Sequence, residues 1–357
     1  MKTGKSLVEL ATEIESQRSR KVDFVAPTDK LVVIPNPDQD TKDAIPLVFE
    51  AENVGRFPVK NLAMTQAAAH AGIPIPYVRK MAEQRPDLLA TNLNTWFQQT
   101  PTRRLVRALD GQARAFLSDR YQRIDNFDVA QVALQGFADF KGLKIMSTEV
   151  TESRMYMKAV WPELTREVKS SRKGDLVEAG VIVRNSEVGL GRVSIGLFAN
   201  FTVCTNGMVR DGGKAWNHVG KKIEGSEMGY LSDETVKAGD RFDLMVIRDT
   251  MKHAFDTSQF ENWIERLQLS TEQRVTGRVQ AAIEVLTEKL VLNQTEGDSI
   301  LKHLIEGGDL SRYGVINAVT RTAEDADDYD RATTIEALGQ HVLDLCPSEW
   351  REVAEAA

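Results

Sequence analysis

The sequence predicts an α+β protein, with a central, mainly antiparallel β-sheet flanked by an N-terminal helical block and a C-terminal helical bundle. Three observations carry this. From Lys144 to Arg210 apolar and polar residues alternate with a period of two. Asp110-Gly111 and Asn206-Gly207 each stand between such runs, and both turn residues tolerate positive φ, which is a strong short-range hairpin signal. After Lys222 the apolar residues return at helical spacing. The divisions that follow are an N-terminal extension (1–56), a helical block (57–100), a β-sheet domain (101–222) and a helical bundle (223–357).

The elements read as follows. Ser6–Ser19 is a short amphipathic helix with Leu7, Leu10, Ala11 and Ile14 on one side. Val22–Val33 is extended, and Pro35, Pro37, Asp38 and Asp40 mark a turn. Leu47–Glu50 is a further short strand. In the helical block, Thr65 caps a first helix that Gly72 ends. Tyr77–Gln84 is the second, and Asp87–Trp96 the third. This outline is shared with helix-turn-helix proteins, but the second helix offers only Arg79, Lys80 and Arg85 to a groove. A plain packed block is the better reading.

A two-residue turn at Asp110-Gly111 sets the register of the first hairpin. Leu109 then faces Gln112, Arg107 faces Arg114, and Leu105 faces Phe116. Like charges directly across a strand pair repel. Arg107 and Arg114 therefore need either acids from elsewhere or an anionic ligand. A helix over Asp128–Phe140 follows. Then come alternating strands over Arg154–Trp161, Val177–Arg184 and Val193–Val203, with Met155, Met157, Ala159 and Trp161 on the side opposite Arg154, Tyr156 and Lys158. With the first hairpin they read as one sheet. In the C-terminal part Thr271–Leu292 is the clearest helix, with Val275, Val279, Ala282, Leu286 and Leu290 in near-heptad spacing.

The totals exclude several classes. A length of 357 residues allows about two or three domains. The net charge of −7 means that any basic surface is local. Only Cys204 and Cys346 are present, too few for a disulfide framework or a zinc site, as in a reducing cytoplasm. No apolar run approaches the roughly 18 residues of a membrane span, and the amino end is too polar for a signal peptide. A soluble, cytoplasmic protein without a cofactor is expected.

No catalytic signature emerges. There is no phosphate-binding loop of the Walker type, and Gly189-Leu-Gly191 is not followed by a helix. Cys204 with His218 is a conceivable nucleophile pair, but a plain buried thiol is the commoner outcome. Glu149, Glu152 and Glu178 are the acids nearest to predicted strands, and a two-metal nuclease site would need them to converge. Solvent-facing or ion-paired carboxylates are the ordinary alternative.

Binding has the better case. Basic residues interleave with aromatics at Arg103, Arg107, Arg114 and Phe116, at Arg120, Tyr121 and Arg123, and at Arg154, Tyr156 and Lys158. Lys214, Trp216, Lys221 and Lys222 repeat the mixture in a glycine-flanked loop. Cations for phosphates and rings for bases are how single strands are held without sequence reading. The alternative is that these are sheet residues paired with the surplus acids.

Four stretches resemble a known family. Arg114–Asn126, Phe201–Val209, the following His218-Val-Gly, and Tyr313–Thr320 look like the phage- and plasmid-borne proteins catalogued as domain of unknown function 932. The likeness runs from about Phe57 to Leu345. It implies a mobile-element gene near DNA replication and recombination, but no reaction and no established site. The layout of strands followed by helices is also similar to ring-forming single-strand annealing proteins, without a shared motif. The resulting expectation is a single-stranded nucleic-acid binder, DNA rather than RNA, forming a homo-oligomer and active in annealing or recombination. A metal-dependent nuclease and a non-enzymatic regulator of a host protein are the alternatives.

Overall fold

The structure is a computed structural model that describes residues 1–36, 44–170, 174–203, 206–216, 233–251, 253 and 255–357. Its first helix, α1 (Leu7–Arg20), is fixed by a reciprocal cap: the Ser6 hydroxyl accepts from Glu9 N–H, and the Glu9 carboxylate accepts from Ser6 N–H. Four strands follow, β1 (Lys21–Pro27), β2 (Leu31–Pro35), β3 (Ala44–Ala51) and β4 (Gly55–Lys60). Three helices come next, α2 (Asn61–His70), α3 (Ile75–Gln84) and α4 (Pro86–Gln99). The first hairpin, β5 (Arg103–Leu109) and β6 (Gln112–Ser118), returns to the same layer. These strands form a six-stranded sheet in the order β1-β5-β6-β4-β3-β2.

Helix α5 (Asn126–Phe137) leads to β7 (Lys144–Val150), β8 (Met155–Glu167), β9 (Leu176–Asn185), β10 (Val193–Phe201) and β11 (Asn206–Trp216). They make a separate five-stranded antiparallel sheet in the order β11-β10-β9-β8-β7. The chain then runs through α6 (Asp233–Met251), α7 (Thr257–Ser270), α8 (Val279–Lys289), α9 (Gln294–Gly307), α10 (Arg312–Arg321), α11 (Tyr329–Asp344) and α12 (Pro347–Ala354). The class is α+β, as the sequence predicts. The single sheet is not found. The hairpin pairs with β1 from Lys21↔Leu109 to Pro27↔Arg103, and that partner lies some eighty residues upstream. No helix among the described residues is long and apolar enough to cross a membrane.

The first sheet packs one face on α2 and α4, burying Ala63, Met64, Ala67, Leu89, Leu93 and Phe97 against Phe49, Val59, Val106 and Phe116. Its β2 edge is closed by a side chain: Asn94 of α4 donates to Val33 O at 2.8 Å and accepts from Val33 N–H at 2.8 Å. An amide that answers both backbone groups removes a pairing edge. The second sheet is covered on both faces. Met155, Met157, Ala159, Val181, Val183 and Phe201 enter the main core with the C-terminal helices. Tyr156, Val160, Ile182, Phe198 and Val209 lie under Tyr329 and Ala337 of α11.

The expected helix over Thr271–Leu292 begins only at Val279. The preceding amides are used elsewhere. Val275 N–H donates to Leu310 O, Thr276 and Gly277 N–H to Ala354 O, and Arg278 N–H to Ala356 O. A Cβ on Gly277 would stand 2.1 Å from Ala356 O, so this close approach requires glycine.

Val291, in the turn between α8 and α9, has φ +53° and is 84% exposed. A β-branched residue in the left-handed region is strained by about 1–2 kcal/mol, and no packing is lost by trimming it. Val291→Gly is expected to raise stability by about 0.5–1 kcal/mol, net of the entropy glycine forfeits. Urea unfolding of the two proteins measures it; a destabilised variant would refute the strain.

Candidate functional site

The Asp110-Gly111 turn has φ +52° and +74°, as the dipeptide predicts. Beyond it the register departs from expectation. Leu109 faces Gln112 and Ala108 faces Ala113, but Arg107 then faces Ala115, Val106 faces Phe116 and Leu105 faces Leu117. Arg114 is the extra residue of a β-bulge, so the expected Arg107–Arg114 opposition does not occur. A one-residue slip also exchanges faces. Phe116 joins Val106 and Ala108 in the first core, while Leu105, Ala115 and Leu117 gather on the other side around Val188.

Arg107 is fully buried and is not a phosphate contact. Its Nη2 is 2.6 Å from Asp125 Oδ1 and 2.8 Å from Asp23 Oδ2, and its Nη1 donates to Glu187 O at 3.0 Å. Arg114 donates to Glu187 Oε2 at 2.6 Å, and Lys21 Nζ lies 2.6 Å from Glu187 Oε1. Asn126 N–H adds a further bond to Glu187 Oε1 at 2.7 Å. Three cations and three carboxylates thus close on each other. Burial alone would lower the Arg107 pKa, but Asp23, Asp125 and Glu187 outweigh it and hold the guanidinium charged. Burial would likewise raise Glu187, and Arg114, Lys21 and Arg107 instead hold it well below the usual carboxylate range.

The other expected contacts divide. Phe116 is buried between Phe49 and Phe97. Tyr121 donates to Ser186 O at 2.7 Å, and burial raises its pKa. Tyr156 is buried and donates to Asp330 Oδ1 at 2.6 Å. Lys158 is wholly buried, 2.5 Å from Glu336 Oε2 and 4.7 Å from the centre of the Tyr329 ring. Tyr156 and Lys158 are unavailable to bases or phosphates because α11 covers the face that the alternation left open, Phe116 because α4 packs on it, and Tyr121 because it lies against the loop after β9. Arg154 donates to Leu190 O. Arg103, Arg120 and Arg123 are exposed. Lys214 and Trp216 lie on β11, paired with Ile195 and Val193. Lys221, Lys222, Cys204 and His218 lie outside the described residues.

Two of the exposed cations, Arg103 and Arg120, stand at the open end of the hairpin, whereas Arg123 acts on Asp240 of α6. Arg104 pairs with Ser118 in the ladder, Arg103 with Pro27, and Arg120 follows two residues after Ser118. Arg104 is half-buried and makes no ion pair among the described residues. Its Nη2 meets His70 Nδ1, its guanidinium lies 5.7 Å from the Phe116 ring centre, and its Nε has no hydrogen-bond partner. His70 Nε2 turns to the Thr102 hydroxyl at 2.9 Å. Burial lowers the pKa of Arg104, only partly offset by Asp119. Burial, then Arg104, lowers that of His70. A cation that is disfavoured where it stands is a place for an anion.

The candidate nuclease acids do not converge. Glu149 pairs with Lys5, Glu152 with Lys60, and Glu178 accepts from Asn200. Among the described residues no group of three or more His, Cys, Asp or Glu could hold a metal. Sequence reasoning passed over Lys21, Asp23, Asp125 and Glu187, the partners that use up Arg107 and Arg114. Comparison with protein-family models, with curated proteins and with solved structures returned no match.

Glu187→Gln leaves Arg114 and Lys21 buried without their anion. It is expected to cost about 3 kcal/mol at neutral pH. Because the folded pKa of Glu187 lies below its ordinary 4.5, its stabilisation is present above that value and is lost as pH falls through the folded one. Asp128 and Asp240, raised chiefly by burial, act with the opposite sign and are relieved on acidification. The gap between wild type and Glu187→Gln should therefore narrow in acid. Urea unfolding at neutral pH and well below the ordinary carboxylate range measures it; a gap constant across that interval would show that Glu187 contributes no titrating charge.

Proposed function

We propose that the protein binds single-stranded nucleic acid, with the open end of the β5–β6 hairpin as the phosphate contact and the outer side of α3 and α4 as the platform for bases. The observation that carries this is Arg104, a half-buried guanidinium without an ion pair among the described residues, flanked by exposed Arg103 and Arg120. Trp96 is 49% exposed and Tyr77 42%. Trp96 lies in the last turn of α4, where Phe97 O accepts from Thr28 next to the Pro27↔Arg103 pair. Leu88, Asn92 and Trp96 recur at four-residue spacing, and the Asn92 amide donates to Tyr77 OH at 3.1 Å. Rings on a helical face beside cations suit stacking without sequence reading.

Local charge supports the same reading. Residues 57–104 carry six Lys or Arg and two Asp or Glu, a net of +4 in a chain whose total is −7. Arg79 and Lys80 in this stretch are exposed.

The test is a titration of labelled single-stranded oligonucleotide at about 50 and about 200 mM salt. Wild type should bind less tightly at the higher salt. Replacing Arg103→Ser, Arg104→Gln and Arg120→Ser together should weaken binding by about tenfold or more and lower the salt slope by about two. Trp96→Ala should weaken it with the slope unchanged. Equal affinity and slope in wild type and the triple variant would overturn the assignment.

A further inference from the structure

The hairpin site also holds an imidazole. His70 closes the last turn of α2, partly exposed beside Arg104. The residues around it fix the ring. Thr102 N–H donates to the Thr28 hydroxyl at 3.1 Å, and Thr102 O accepts from Thr28 N–H at 2.9 Å. The Thr102 hydroxyl then stands 2.9 Å from His70 Nε2. The ring lies beside those of Phe97 and Phe116, with centroids 6.2 and 5.8 Å away. Nδ1 is left to face Arg104 Nη2.

The contact with Arg104 sets the tautomer. A guanidinium only donates, so Nδ1 accepts, and the neutral ring keeps its proton on Nε2, facing the Thr102 hydroxyl. Once Nδ1 is protonated, two donors face each other. Burial, then Arg104, lowers the His70 pKa, so the ring is neutral at neutral pH. Among the described residues no other charge acts on it. On the elements around α2, Glu50 pairs with Arg56, Lys60 with Glu152, Arg85 with Asp87 and Arg114 with Glu187. Arg79, Lys80 and Glu83 of α3 are exposed, and Asp119 acts on Arg104. The carbonyl end of α2 favours an imidazolium, so burial and Arg104 are what oppose one.

An anion at Arg104 reverses that balance. It offsets the repulsion between the two cations, and its oxygen can accept from a protonated Nδ1, which a guanidinium cannot. Released from Nδ1, Arg104 offers Nη2 as well as its unpartnered Nε. If the anion favours the protonated ring, the protonated ring favours the anion by the same factor. We propose that His70 is the proton-gated second ligand of the phosphate at this site: as imidazole it holds Arg104 through Nδ1, and as imidazolium it donates from Nδ1 to a phosphate oxygen beside Arg104, so that the strand binds with uptake of one proton from solvent. This rests on the nucleic-acid reading above and adds a ligand to the same site. Affinity then rises as pH falls through the titration midpoint of the bound protein, and levels off below that of the free one.

The test titrates labelled single-stranded oligonucleotide into wild type and His70→Asn at about pH 7.5 and about pH 5.5, at constant ionic strength. The asparagine amide oxygen still accepts from Arg104 but does not titrate. Acidification should tighten wild type about tenfold more than the variant. The same pH dependence in both proteins overturns the proton gate and leaves the nucleic-acid reading standing; no binding at either pH overturns both. NMR of wild type carries the test should His70→Asn fail to fold. The chain has five histidines, and the ring protons of His70 are assigned by their contacts with Phe97 and Phe116. Their titration midpoint should rise when oligonucleotide is bound, and a midpoint that stays or falls would overturn the assignment.

Discussion

The fold turns on the neutralisation of one buried guanidinium. Arg107 comes from the middle of β5, Asp23 from β1, Asp125 from the turn before α5, and Glu187 from the loop after β9. A charge taken out of water at the centre of a sheet is tolerable only if all its donors are met. Meeting them draws four separate parts of the chain to one point and ties the six-stranded sheet to the five-stranded one. Such a network adds little net stability over an apolar substitute of the same shape. Its effect is on arrangement: with Asp125 or Glu187 elsewhere, Arg107 would keep Asp23 but bury part of its guanidinium without a partner.

The loop that carries Glu187 acts as a wedge between the sheets. Val188 packs among Leu105, Ala115 and Leu117, and its carbonyl accepts from Gln66 of α2 at 2.8 Å. Gly189 follows with φ +79°, and a Cβ there would meet Leu117 Cδ2 at 2.6 Å. On the other side Tyr121 reaches Ser186 O, and Asn185 reaches Ile124 O and Asn126 Oδ1. The stretch Arg114–Asn126, which reads as alternating cations and rings, is therefore mostly the mating surface of this loop.

That explains how far the sequence could be read. The Asp110-Gly111 dipeptide and period-two patterning are local, and they located the first hairpin, its turn and the strands of the second sheet; Asn206-Gly207, expected as a second turn, instead opens β11 opposite Phe201 and Asn200. The bulge at Arg114 is not local, because it resolves a conflict between hairpin register and the burial of Phe116 on α4. The cover over Tyr156 and Lys158 comes from α11, more than 170 residues onward. A period-two run states that a strand has two faces; it does not state whether a distant helix lies on the polar one. Glu187 was legible only indirectly, as an acid in a short glycine-containing loop of a chain with arginines to neutralise.

Arg104 and Arg107 stand three residues apart on one strand, and parity separates them. Arg107 faces the junction, where acids arrive from β1, the α5 turn and the β9 loop. Arg104 faces the helical layer with Val106 and Ala108, and α2, which covers that side, contains no acidic residue from Asn61 to His70. The sole acceptor it offers Arg104 is an imidazole nitrogen. Aromatic faces at Phe116 and Phe97 occupy the rest of the space. Asp119 offsets the burial of this charge only in part, and the remaining opening lies past the end of the sheet where Arg103 and Arg120 stand. An acid placed on α2 would close that opening as Glu187 closes the other; its absence there, in a chain with acids in excess, is what leaves Arg104 without a carboxylate partner on its own helical layer.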